Sequence, residues 1–87
     1  MTKQVNLQLF GAFSDLDATR EIAVDVAGDT VGDLRQALRE LLPARWPGFR
    51  AGLLDYSAFA DQERVLRDRD ALPEDGRVAI LPPVSGG

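Results

Sequence analysis

Residues 30–42 read Thr30-Val31-Gly32-Asp33-Leu34-Arg35-Gln36-Ala37-Leu38-Arg39-Glu40-Leu41-Leu42, an amphipathic helix that carries its own start signal. Thr30 is a favourable N-cap. Asp33, three positions on, supplies a capping-box partner and a negative charge at the positive end of the helix. Val31, Leu34, Leu38, Leu41 and Leu42 fall on one apolar stripe, and Arg35, Gln36, Arg39 and Glu40 are predicted to face outward. Pro43 is predicted to end the helix, because its ring removes an N–H and crowds the preceding turn.

Upstream, Val5, Leu7 and Leu9 alternate with Asn6 and Gln8, the period-2 pattern of a half-buried strand. Turn-formers occupy Gly11 to Asp17. Ile22, Val24 and Val26 then alternate with Ala23 and Asp25, a second strand that pairs with the first as a hairpin closed by Ala27-Gly28-Asp29. Downstream of the helix, Trp46, Phe49, Leu53 and Leu54 suit either one side of a short second helix or the anchors of a packed loop; Pro47, Gly48 and Gly52 argue against regular structure. Tyr56 to Ala60 reads as a third strand and Val65-Leu66 as a short fourth. Leu72-Pro73-Glu74-Asp75-Gly76 is a turn, and Arg77-Val78-Ala79-Ile80-Leu81 a final strand. This order is α+β: a mixed sheet crossed on one face by one main helix. The β-grasp (ubiquitin-like) fold fits it, with the last strand placed centrally beside the first. The expected organisation is a β-grasp domain over residues 1–81 and a flexible C-terminal Gly-Gly tail over 82–87.

With 87 residues, 45% of them hydrophobic, the chain has room for one domain and one core. Its net charge of −4, from 14 acidic against 10 basic residues, lacks the basic footprint that phosphates require, so nucleic acid is not an expected partner. A basic protein partner is easier to accommodate. There are no cysteines and no histidines, which excludes disulfides, thiolate chemistry and the usual zinc site. No metal site is expected. A nucleophile–base pair would have to be assembled from Ser14, Ser57 or Ser85 with carboxylates or Lys3, and no spacing suggests one. Glu63, Asp68 and Asp70 alternate with Arg64, Arg67 and Arg69, which reads as an ion-paired surface. No glycine-rich phosphate loop is present. The opening residues lack the layout of a signal peptide, and no apolar run approaches the roughly 20 residues that span a bilayer. No membrane association and a cytoplasmic location are expected.

The sequence closes on Pro82-Pro83-Val84-Ser85-Gly86-Gly87. Neither proline can donate to a sheet, and both fix φ near −65°, so the chain is turned away from the preceding strand in an extended conformation. The four residues from Val84 span roughly 13 Å at about 3.3 Å each. The last two have no side chain, so this end can thread a narrow channel and present an α-carboxylate to a buried centre. The C-terminus is therefore read as the working end. Pro82 and Pro83 either stiffen the tail, lowering the entropy lost on insertion, or simply end the strand.

This order, with its VAILPPVSGG ending, resembles the small subunit of molybdopterin synthase, a ubiquitin-like sulfur carrier. The resemblance runs through Leu9-Phe10-Gly11-Ala12, Thr30-Val31-Gly32-Asp33-Leu34, Asp75-Gly76 and, most specifically, PPVSGG. Phe59-Ala60-Asp61-Gln62-Glu63 departs from the family pattern, with an Asp at the expected Asn position. The resemblance implies that Gly87 is the reactive residue: a partner enzyme uses ATP and Mg²⁺ to adenylate its carboxylate, and a persulfide donor converts it to a thiocarboxylate. It further implies that Pro82, Pro83, Val84, Ser85 and Gly86 enter the large synthase subunit, which holds the catalytic side chains. The sulfur then builds the dithiolene of the pterin. The resemblance also implies that the carrier binds no cofactor itself and is a non-catalytic subunit of a heterotetramer. Phe10 and Leu81, of opposite parity to Leu9 and Ile80, are expected to face away from the helix and dock partners; the competing reading has both filling the core. Rival readings are a carrier for thiamine, cysteine or tRNA thiolation, a protein modifier joined through Gly87, and an interaction domain with an inert tail.

Overall fold

The computed structural model describes residues 2–16 and 18–82. Strand β1 (Thr2–Leu9) and strand β2 (Glu21–Ala27) form the antiparallel hairpin, joined through a 3₁₀ turn over Gly11–Leu16. Helix α1 (Val31–Arg45) crosses the sheet, followed by a short helix α2 (Ala51–Asp55), strands β3 (Ala58–Ala60) and β4 (Val65–Leu66), and strand β5 (Arg77–Leu81). The sheet order is β2-β1-β5-β3-β4; β5 runs parallel to β1 and antiparallel to β3. This is the expected β-grasp arrangement, with the last strand at the centre.

Alternation explains the packing. Val5, Leu7 and Leu9, Ile22, Val24 and Val26, and Val78 and Ile80 all point to the helix side and are buried. Val31, Leu34, Leu38 and Leu42 of α1 meet them, with Phe59 and Leu66 completing the layer. Phe13, from the 3₁₀ turn, is also fully buried and takes an edge contact from Trp46, with ring centroids 6.3 Å apart.

The capping box forms as predicted. Thr30 Oγ1 accepts from the Asp33 N–H at 3.2 Å, and Asp33 Oδ2 accepts from the Thr30 N–H at 3.2 Å and the Asp29 N–H at 3.1 Å. At the other end the sequence expectation fails, since α1 continues through Pro43 to Arg45. Pro43 lies on the exposed side in the last turn, where its missing N–H costs one bond and its fixed φ is already helical. The Trp46 N–H still closes on the Leu42 carbonyl at 2.8 Å.

Two further expectations are corrected. Arg35 does not face outward: its side chain is 13% exposed and bridges α1 to Asp68 and to the Leu54 and Ser57 carbonyls. The third strand begins at Ala58 rather than Tyr56, because the Tyr56 and Ser57 N–H groups are taken by Gly52 and Leu54 at the end of α2. The ambiguous segment combines both alternatives. Leu54 is buried from α2, while Trp46 and Phe49 pack on each other, centroids 5.6 Å apart, in the connection before it. Gly76 has φ +71° in the turn before β5, and its carbonyl accepts from the Asn6 N–H at 2.6 Å.

Candidate functional site

The expected working end begins where β5 leaves the sheet. Leu9 pairs with Ile80 between the parallel strands β1 and β5, and both side chains are buried under the helix. The next residue on each strand turns the other way. Phe10 is 46% exposed and Leu81 half-buried, paired through its backbone with Ala58 of β3. Both therefore lie at one end of the sheet, at the root of the tail, and neither belongs to the buried core.

The face of the sheet without a helix is small-residue and apolar at its centre. Ala60 and Ala79 pair across β3 and β5, Val65 stands exposed opposite Ala60 on β4, and Phe10, Ala60 and Ala79 line a shallow depression of about 190 Å³ together with Gln8, Asp61, Gln62 and Arg77. Asp61, Glu63, Glu74 and Asp75 line a broader groove along its border. Asp61 is held below the ordinary carboxylate range because its Oδ1 accepts the Glu63 N–H, and likewise the Arg64 N–H, at 2.8 Å each. Four carboxylates against the one cation Arg77 give the lining of this groove an excess of negative charge. Sequence reading directed Phe10 and Leu81 away from the helix but did not single out Ala60 and Ala79; strand alternation carries that signal once β3–β5 pairing is known. Among the described residues, no group of three or more His, Cys, Asp or Glu side chains could hold a metal ion, and no helix is long and apolar enough to cross a membrane.

Pro82, the first residue of the expected tail, is half-buried and sits on Gly11. Gly11 has φ +57°, and a Cβ built there would stand 2.6 Å from Pro82 Cγ and 3.2 Å from Pro82 Cδ. The turn that presents Gly11 is itself tied down: the Phe13 N–H donates to the Phe10 carbonyl at 3.1 Å, and the Ser14 hydroxyl to the Gly11 carbonyl at 2.7 Å. The other predicted tail residues, Pro83, Val84, Ser85, Gly86 and Gly87, lie outside the described residues.

A five-stranded mixed sheet grasping one main helix, with the central strand leading into a Gly-Gly sequence, defines a ubiquitin-like sulfur carrier or modifier. The chain belongs to the ThiS family, whose model matches residues 7–87. The crystal structure of SAMP1 from Haloferax volcanii is similar to it, with a TM-score of 0.65 and 30% identity over 98% of this chain and 100% of that one. No curated protein sequence matches it.

Proposed function

We propose that this carrier is the small subunit of a molybdopterin synthase and that it works through the α-carboxylate of Gly87. The observation that supports this reading most is the run from the central strand through Pro82, seated on Gly11, into Pro83-Val84-Ser85-Gly86-Gly87, within a chain of the ThiS family. An α-carboxyl has a pKa near 3.5 and is ionised at neutral pH, so it resists nucleophiles until activated. In the proposed cycle a Gly87 carboxylate oxygen attacks the α-phosphorus of ATP on an adenylating partner, and pyrophosphate leaves. The outer sulfur of a persulfide donor then attacks the acyl carbon and AMP departs. A thiol cleaves the resulting acyl disulfide, leaving the thiocarboxylate on Gly87 and the oxidised disulfide on the donor side.

The loaded tail then enters the large synthase subunit and gives its sulfur to the pterin precursor, two carriers serving a dimer of large subunits. Phe10 and Leu81 dock successive partners from the helix-free face, and the acidic border steers them. In this role the chain binds no cofactor of its own, meets neither nucleic acid nor membrane, and works in the cytoplasm. The ATP, Mg²⁺ and acid–base groups belong to the partners, consistent with a sequence that has neither Cys nor His.

The test is an intact mass of the protein purified from its own host, together with a pull-down. A sulfur-for-oxygen exchange at Gly87 and co-purification of the large synthase subunit are expected. An unmodified carboxylate under molybdenum-cofactor demand overturns the carrier chemistry. Capture of a thiamine, cysteine or tRNA-thiolation enzyme instead reassigns the pathway, and adducts on the lysines of other proteins make the chain a modifier.

A further inference from the structure

Gly11 meets two separate demands, and only one of them concerns its own backbone. Its φ of +57° lies in the left-handed region, which asparagine also enters at modest cost. The second demand comes from Pro82: its ring occupies the space of the missing side chain, so any Cβ there forces the ring to move. Glycine is needed at this place because of the chain that leaves β5, and the 3₁₀ turn alone does not require it.

We propose that Gly11 is a positioning residue for the tail, providing the bare Cα on which Pro82 seats and so setting the bearing on which the chain departs from the sheet. Two restraints meet at that point. Backbone pairing holds β5 against β1 as far as Ile80, which faces Leu9, and against β3 as far as Leu81, which faces Ala58. Pro82 then has its φ fixed by its ring and its ring fixed by Gly11. Each bond further along the chain multiplies any angular freedom left at the root, so an early restraint is the most effective place to aim a carboxylate. A tail already on its bearing loses less entropy on entering a channel, which is preorganisation. The proposal rests on the carrier reading above for what the tail is aimed at, but not for the seat itself.

The prediction separates binding from chemistry. If the productive bearing falls to about a tenth of the population, the apparent affinity falls about tenfold while the rate at saturation is unchanged. Gly11→Asn is the informative variant, since asparagine accepts the positive φ but carries the Cβ that collides with Pro82. Carrier-dependent ATP–pyrophosphate exchange by the host adenylating enzyme should show KM raised about tenfold and kcat unchanged. The thermal midpoint should stay close to that of the parent. Pro82→Ala, which empties the seat, should raise KM less, and Gly11→Asn/Pro82→Ala should return to the Pro82→Ala value because the collision is gone. An unchanged KM in folded Gly11→Asn, or a double variant as impaired as Gly11→Asn, overturns the proposal. If Gly11→Asn does not fold, Pro82→Ala carries the test: a raised KM with unchanged kcat supports the seat, and a parental KM removes it. If the parent itself is not adenylated, the carrier function fails, and the seat is judged by the residual dipolar coupling of the Val84 amide. Positioning requires that coupling to change in Pro82→Ala; an unchanged coupling overturns it.

Discussion

Arg35 on α1 forms a forked ion pair with Asp68, 2.9 Å from Nη2 to Oδ1 and 3.1 Å from Nε to Oδ2. The same guanidinium donates through Nη1 to the Leu54 carbonyl at 2.6 Å and the Ser57 carbonyl at 3.2 Å, and lies over the Phe59 ring at 4.8 Å. One side chain thus joins the helix to the end of α2, to β3 and to the loop after β4. The two partners are unequal, because Asp68 is 57% exposed and Arg35 is 13% exposed. Removing the acid loses a solvent-screened pair, whereas removing the base also takes the guanidinium donor from the Ser57 carbonyl and leaves the Leu54 carbonyl only its bonds from the Ser57 N–H and hydroxyl. Arg35→Ala should therefore cost about 2–3 kcal/mol. Asp68→Ala should cost about 0.5–1 kcal/mol. Urea denaturation of both variants checks the order; equal losses would show that the carbonyl bonds contribute little.

Phe10 offers the sharpest test of the docking face. Phe10 is 46% exposed and lies outside the buried core, so Phe10→Arg should shift the melting temperature by no more than about 4 °C, within the range of surface substitutions. Placed against a partner's apolar patch, the same charge should weaken large-subunit binding by at least about tenfold, or 1.4 kcal/mol. Calorimetric titration reads the second number. A folded variant that binds normally would remove Phe10 from the interface.

Gly86 is expected to pass through the narrowest part of a partner's channel. Gly86→Ala should leave folding intact and slow adenylation of Gly87 by about 10²-fold, the scale on which small misplacements of reacting groups act. Single-turnover loading with excess adenylating enzyme measures this. Normal loading would mean that the channel tolerates a side chain.

Acid should weaken the start of α1. Asp33 is held below its ordinary value of 3.8, first by the backbone N–H of Thr30, then by the Thr30 hydroxyl and the Asp29 N–H. Because the folded pKa is the lower one, this contribution is complete above the unfolded value and disappears as pH falls through the folded value, below about pH 4. Asp33→Asn should be less stable than the parent at neutral pH, and the gap should close toward about pH 2. Denaturation midpoints along that range supply the comparison; a gap that does not vary with pH would mean that the charge is not involved.

The elements of this protein were legible because their signals are local. Alternation in Val5-Leu9 and Ile22-Val26, the Thr30–Asp33 capping box and the Asp75-Gly76 turn involve neighbours within a few residues, and all form as read. Phe10 and Leu81 could be directed away from the helix by parity alone, since Leu9 and Ile80 are apolar and alternate with them. Where reading failed, a distant partner had reversed a local preference. Pro43 ends helices on average, yet Leu42 and Trp46 hold the last turn of α1 against the core and the 3₁₀ turn. Arg35 lies beside outward-facing positions, but a carboxylate and two carbonyls brought from elsewhere compensate for its burial.

The order of strands and helix and the chemistry available to the chain follow from residue types and spacing, since periodicity, capping and the lack of Cys and His need no distant contact to take effect. The exit of the tail is different. That Gly11 faces Pro82, that alanines of β3 and β5 make a floor beside Phe10, and that four carboxylates border it arise only when β5 inserts between β1 and β3. Sheet pairing joins segments far apart in the chain, and no nearest-neighbour preference encodes which side chains will share a face across them.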